Sequence, residues 1–182
     1  VAAEFAKHGA RVVNADQLGH EALLQASIRD VLVQRWGREV LDETGAMDRC
    51  RVGRIVFDEE LERKALESVV HPYIGRRIRE LIDAARADRG AKLVVLDAAI
   101  MLETGWSEAC DRLVYVHAPR ATRLRRLADQ RGWSASEVDA RERAQMSLTE
   151  KATRADAAID NSGSPELLAR QVEDLLRQWR VS

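Results

Sequence analysis

Cysteine is scarce in this sequence, charge of neither sign prevails, and no apolar run is long enough to cross a bilayer. Cys50 and Cys110 lie far apart and belong to no CxxC or Cys/His spacing. That argues against a thiolate metal site and a disulfide framework, and for two reduced structural thiols in the cytoplasm. Lys and Arg number 29 against 30 Asp and Glu, a net charge of −1, so the chain has no overall field to gather nucleic acid or an anionic membrane. A spanning helix needs ~20 consecutive apolar residues, and none is found. Repeats, low-complexity tracts and an obvious linker are missing too. What is present suffices for a buried core: 46% of the 182 residues are apolar, enough for one domain or one domain with helical insertions. The opening run Val1-Ala-Ala-Glu-Phe-Ala-Lys7 reads as an amphipathic helix and not as a signal peptide. It starts in mid-pattern and without methionine, so the true N-terminus is expected further upstream.

Short apolar runs alternate with long helical patterns, the mark of a parallel α/β sheet. Arg11-Val-Val-Asn14 is a short β-branched run after Gly9, which closes the opening helix. Lys92-Leu-Val-Val-Leu-Asp97 is the clearest strand, four apolar residues ending in an acid, and is expected to be covered on both faces. Arg112–His117 and Ala157–Asp160 supply two more. Residues 17–88 are helical. Leu61, Ala65, Leu66, Val69 and Val70 share one face, and a new face with Ile74, Ile78, Leu81, Ile82 and Ala85 starts after a break at His71-Pro72. That stretch is too long for a plain crossover, so part of it is expected to form a helical subdomain. Residues 120–152 are a second helical stretch, and Pro165 opens a closing helix capped by Ser164.

Acids stand at the strand ends. Asp16 follows the first strand directly, where open parallel sheets bind ligands and where a carboxylate can take the proton of a sugar hydroxyl. The plainer reading makes Asp16 the cap of a helix starting at Gln17. Asp97 ends the strongest strand, the Walker B position for an acid that holds Mg²⁺ directly or through water; a turn or cap role is its alternative. Glu103 by itself reads as an ordinary exposed glutamate. His71 reads first as a structural or surface residue at the break, and His20 and His117 likewise receive no role. The basic stretch holds Arg120, Arg123, Arg125, Arg126, Arg131, Arg141 and Arg143, with Arg123 and Arg126 on one face. Guanidinium forks suit phosphate oxygens, yet solvated surface must account for most of them. In Asp160-Asn-Ser-Gly163, Asn161 and Gly163 either form a turn or set backbone groups beside a nucleotide base.

In order, Asn14-Ala-Asp16, Arg51-Val-Gly-Arg-Ile-Val-Phe57, Leu66-Glu-Ser-Val-Val-His-Pro72, Val94-Val-Leu-Asp-Ala-Ala-Ile-Met-Leu-Glu103, Arg141-Glu-Arg-Ala-Gln145 and Lys151-Ala-Thr-Arg-Ala-Asp-Ala-Ala-Ile-Asp-Asn161 together resemble the dephospho-CoA kinase family over essentially the whole chain. No single piece is decisive; their order and spacing make the signal specific. The resemblance implies an α/β fold of the P-loop NTPase type: a parallel sheet with helices on both faces, a helical substrate-binding insertion and a helical lid. It divides the single domain into a nucleotide core (1–20, 91–119 and 153–182), a CoA-binding helical region (21–90) and a lid (120–152). It implies ATP-dependent phosphorylation of the ribose 3′-hydroxyl of dephospho-CoA, the last step of CoA biosynthesis, with Mg²⁺ accompanying ATP. By the same resemblance Asp16 is the catalytic base, and Asp97 is the Walker B acid that holds Mg²⁺. His71, Arg77, Asp97 and Glu103 bind the acceptor substrate, and Arg131, Arg141, Asn161 and Gly163 bind ATP. A monomer is expected, with an oligomer left open, and neither nucleic acid nor membrane is an expected partner.

Three departures from the family pattern stand out. Asn14 replaces the first aspartate of an Asp-Ala-Asp run, and Ala99 replaces the proline common after Asp97, loosening that turn. No GxxxxGK[ST] run occurs anywhere. That loop supplies amides and a lysine to the phosphates and a hydroxyl to Mg²⁺, and its loss would slow transfer on the order of 10³-fold or more. Its strand is central in such sheets, and without it two strands would show unpaired edges. The expectation is that roughly a dozen to twenty residues carrying both precede Val1, and that the chain is inactive without them. A different P-loop nucleoside or nucleotide kinase, or a non-catalytic nucleotide-binding module, is the alternative.

Overall fold

A computed structural model of the chain describes residues 1–88 and 90–181, apart from the side chain of Asp58. In order, it forms helix α1 (Ala2–Lys7), strand β1 (Ala10–Asn14), helices α2 (Ala15–Leu23), α3 (Ala26–Trp36), α4 (Arg49–Asp58) and α5 (Glu60–Ala87), and strands β2 (Leu93–Asp97) and β3 (Val114–His117). Helices α6 (Arg120–Arg131), α7 (Ala135–Arg143) and α8 (Leu148–Arg154), strand β4 (Ala157–Asp160) and helix α9 (Pro165–Gln178) complete it. Two compact units divide the chain, Val1–Val12 with Ala85–Ser182, and Val13–Ala84. Among the described residues no helix is long and apolar enough to cross a membrane. Both cysteines are free. Cys50 is exposed, so only the half-buried Cys110 fits the structural role expected of both.

In the first unit the strands form two pairs, β1 with β2 and β3 with β4. The second pair is parallel, with Val114 opposite Ala157 and His117 opposite Asp160; a parallel pair needs a long crossover, which α6, α7 and α8 provide. Strand β3 starts at Val114 and not at Arg112, because the Leu113 N–H donates to the Asp156 carboxylate (2.7 Å) ahead of the ladder. Leu93–Leu96 of β2 are half-buried, not fully covered as expected. The pair is only two strands wide, so β2 has one hydrogen-bonded strand neighbour among the described residues. The outer side of β4 is closed differently. The Gln171 side chain accepts from the Asp160 N–H (2.8 Å) and donates to the Asp160 carbonyl (2.9 Å), standing in for a neighbouring strand.

Phe5, Ala10, Ile159, Val172, Leu175 and Leu176 make the core of this unit. Val172, Leu175 and Leu176 recur at helical spacing, so α9 buries one stripe. Its start is as the sequence indicates: Ser164 Oγ accepts from the Leu167 N–H (3.4 Å) and Pro165 is the first helical residue. Gly9, with φ +89°, turns the chain out of α1 into β1, a left-handed backbone that a side chain disfavours.

The second unit is helical. Its longest element, α5, runs straight through Pro72, so the expected break at His71-Pro72 does not occur. Proline inside a helix removes one hydrogen bond and costs about 3 kcal/mol. Val70, Ile74, Ile78 and Ile82, four residues apart, are all buried on one face across that point. Each such burial stabilises by about 1.5–3 kcal/mol, so the stripe outweighs the proline. The first half of the expected face is partly wrong, because Leu61 is 73% exposed. The start of α5 is held instead by polar contacts: Glu62 accepts from Arg35 (2.6 and 2.9 Å) and from the Trp36 indole (2.6 Å) at the end of α3. Those donors, Arg35 first, hold the Glu62 carboxyl down at about 2.

Ile78, 1% exposed, and Leu61 are therefore opposite cases on one helix. Ile78→Ala is expected to destabilise by about 2–5 kcal/mol and Leu61→Ala by no more than about 0.5 kcal/mol in urea unfolding. Equal losses would contradict the stripe.

Candidate functional site

In the helical unit, Asp16 is an exposed residue in the first turn of α2. It does not cap that helix. The helix starts at Ala15, and Asn14 is the cap, its Oδ1 accepting from the Gln17 N–H at 3.0 Å. Asparagine caps as well as aspartate does. The capping alternative for Asp16 is thereby removed.

His71 is half-buried in α5, and burial pushes its imidazole below the ordinary 6.5, against the opposing charge of Glu67. Two turns of α5 carry a polar cluster with α2. The Arg77 Nε donates to Glu21 Oε1 (2.9 Å) and its Nη1 to Glu80 (2.6 Å), while the Tyr73 hydroxyl donates to Glu21. Tyr73 foremost, and then Arg77, hold the Glu21 carboxyl below its usual range against the effect of burial. Arg77 thus has its guanidinium oriented by two carboxylates. Glu21 and Tyr73 carried no signal in the sequence beyond the four-residue spacing of Tyr73 and Arg77.

In the other unit, Asp97 is the exposed last residue of β2. Its carboxylate has no hydrogen-bond or ion-pair partner among the described residues. Among the described residues no group of three His, Cys, Asp or Glu could hold a metal. Mg²⁺ serving a nucleotide does not need one, since it keeps several waters and takes one or two carboxylates besides phosphate oxygens. A single open carboxylate fits that role.

Glu103, six residues on, is exposed as its local sequence suggests, but its carboxylate is engaged. Its Oε1 lies 2.9 Å from Lys151 Nζ and accepts from the Met146 N–H at 2.8 Å. Lys151 also donates to the Ala99 carbonyl (2.6 Å) and to Gln145 (3.0 Å). The turn loosened by the absence of proline at 99 is therefore held by an ammonium. The partners of Lys151, Ala99 and Glu103, lie some 50 residues away, beyond any local pattern.

The arginine stretch folds into a hairpin of α6 and α7. Arg120 pairs with Asp139, and Arg123 with Glu142 (2.8 Å) and the Ala118 carbonyl (2.7 Å). Arg126 donates to the Asn161 carbonyl (2.9 Å), fastening the hairpin to the loop after β4. Arg131 and Arg141 both lie over the Trp133 ring, their guanidinium carbons 5.0 and 4.0 Å from its centroid. Asn161 continues the ladder, its N–H donating to the His117 carbonyl (2.8 Å). At Gly163 a side chain would come within 3.0 Å of Leu167, so a packing reason for glycine exists beside the nucleotide one.

Comparison with known proteins identifies the class first. The crystal structure of TT1252 from Thermus thermophilus superposes with a TM-score of 0.75 at 34% identity, over 97% of this chain and 88% of that one. The dephospho-CoA kinase from Campylobacter jejuni superposes at 0.67 and 22% identity, over 96% and 87%, a likeness of fold. The fold is α/β, of the P-loop NTPase type. Sequence then narrows it. The family profile described as dephospho-CoA kinase matches residues 1–166. A dephospho-CoA kinase of Geobacter sulfurreducens is 38% identical over 168 residues, 92% of this chain and 85% of that protein. One of Bacillus licheniformis is 38% identical over 181 residues, 98% and 89%. The chain belongs to the dephospho-CoA kinase family.

The burial of His71 carries its own test. Proton titration followed by NMR is expected to find His71 ionising below 6.5, and Glu67→Gln to lower it further. A depressed imidazole stabilises the fold above its unfolded value, and that contribution is lost as pH falls through the folded one. Titration at or above 6.5 would contradict the stated burial.

Proposed function

We propose that the protein transfers the γ-phosphoryl group of ATP to the ribose 3′-hydroxyl of dephospho-CoA, giving CoA and ADP. The observation that carries this reading is family membership over residues 1–166, with relatives of that name 38% identical across more than nine-tenths of the chain. Two reduced thiols and consumption of ATP suit the cytoplasm as its location.

In this reading Asp16 takes the proton of the 3′-hydroxyl as that oxygen bonds to the γ-phosphorus. The bond from phosphorus to the β–γ bridging oxygen breaks, and ADP leaves with the electron pair. Support for Asp16 comes from its position after β1 and from Asn14 holding the cap. Asp97 would hold Mg²⁺, which offsets charge on the phosphates when bound. His71 and Arg77 bind the acceptor. A neutral imidazole suits an uncharged part of it, and an arginine oriented by Glu21 and Glu80 suits a phosphate-bearing part. Arg131 and Arg141, kept over one indole, would meet the ATP phosphates with less loss of side-chain freedom than two solvated arginines. Asn161 and Gly163 would lie beside the adenine.

The test uses the full-length protein and a coupled ADP-release assay. Asp16→Asn is expected to lower kcat by about 10²–10⁴-fold with ATP affinity nearly unchanged. A parallel loss of both would make Asp16 a structural residue. Activity on adenosine or nucleoside monophosphates, with none on dephospho-CoA, would overturn the substrate.

A further inference from the structure

One ion pair joins the loop after β2 to helix α8. Lys151 Nζ donates to Ala99 O at 2.6 Å and Gln145 Oε1 at 3.0 Å, and lies 2.9 Å from Glu103 Oε1 as an ion pair. Glu103 Oε1 also accepts the Met146 N–H at 2.8 Å. The two side chains are 14% and 23% exposed, Lys151 first, so water screens them less than it does the open pairs elsewhere on the chain. Lys151 draws the Glu103 carboxyl below its usual range even though burial alone would raise it.

The location gives the pair its meaning. Ala99 and Glu103 follow Asp97 by two and six residues, on the turn that leaves β2. Gln145 and Met146 follow the last turn of α7, which carries Arg141. One lysine and one glutamate therefore grip the backbone of both segments, at Ala99 O and at Met146 N–H. Short polar surface contacts would not do this, since each would hold a side chain and leave the main chain to move.

We propose that Lys151, acting through Glu103, is a positioning residue that sets the register between the Asp97 turn and the arginine hairpin. Glu103 serves this junction instead of touching the acceptor substrate. The inference rests on the kinase reading above, in which Asp97 and Arg141 both act on ATP and must be held in one arrangement while the phosphoryl group moves.

The experiment is a double-mutant cycle in the full-length protein. Lys151→Met and Glu103→Gln are each expected to lower kcat by roughly tenfold and to raise KM for ATP, with KM for dephospho-CoA changed by less than about twofold. The double variant is expected to be no worse than the poorer single one, because both remove the same junction. Lys151→Arg, which keeps the charge, is expected to restore most of kcat. Hydrogen exchange at the Met146 amide should quicken in Lys151→Met, and this holds whatever the protein's activity. Additive losses, or a rise confined to KM for dephospho-CoA, would overturn the inference and return Glu103 to the substrate. Unchanged Met146 exchange would overturn it as well. A wild-type protein that fails to phosphorylate dephospho-CoA, yet shows the Met146 response, would sink the kinase reading and leave the junction standing.

Discussion

Strands laid parallel bring whatever follows their last residues to one edge of the sheet, and this constraint decides where the chain can do chemistry. β3 and β4 run in register from Val114 opposite Ala157 to His117 opposite Asp160, so their ends coincide. The Asn161 N–H prolongs the ladder by one bond to His117, and Gln171 holds Asp160 from the open side. The loop 160–163 is thereby held from outside as well as by its own turn, where the Ser162 N–H donates to Asp160 Oδ1 (2.9 Å). Asp97 stands at the end of β2 in the same way: apolar residues hold the strand while the terminal carboxylate remains exposed. Burial provides the rigidity, and the strand end provides access.

Charge is handled differently in the two places where it accumulates. In the α6–α7 hairpin Arg120, Arg123 and Arg126 hold the fold, through Asp139, Glu142 and two main-chain carbonyls. Arg131 and Arg141 differ in lying over Trp133, an arrangement that orients a guanidinium while keeping it cationic. On α5, by contrast, Arg77 is oriented by Glu21 and Glu80. Local neutrality of this kind accounts for a chain of net charge −1 that nevertheless concentrates guanidinium groups.

What the sequence made legible follows the range of the interactions concerned. The cap at Ser164, the turn at Gly9 and the run Ala157–Asp160 are governed by neighbours within a few residues, and each is where the sequence puts it. The local cost of Pro72 is real but smaller than the burial of the stripe from Val70 to Ile82 that runs across it. Asp16 looked like a cap because aspartate caps helices well, and only the fold reveals that Asn14 had already taken that position. Glu103 and Lys151 lie 48 residues apart, and no spacing rule joins them. Resemblance to a family supplied the identity of the acids at the strand ends; composition and periodicity supplied only their positions.

The claim on which all of this turns is chemical: an acid just beyond a strand end takes the proton of one particular alcohol as ATP phosphorylates that oxygen. Phosphorus NMR of the product made by the full-length protein from ATP and dephospho-CoA tests it most directly. The account predicts a single new monoester on the ribose 3′-oxygen, formed with one equivalent of ADP. A phosphate on any other oxygen, or ADP release with the acceptor unmodified, would contradict it.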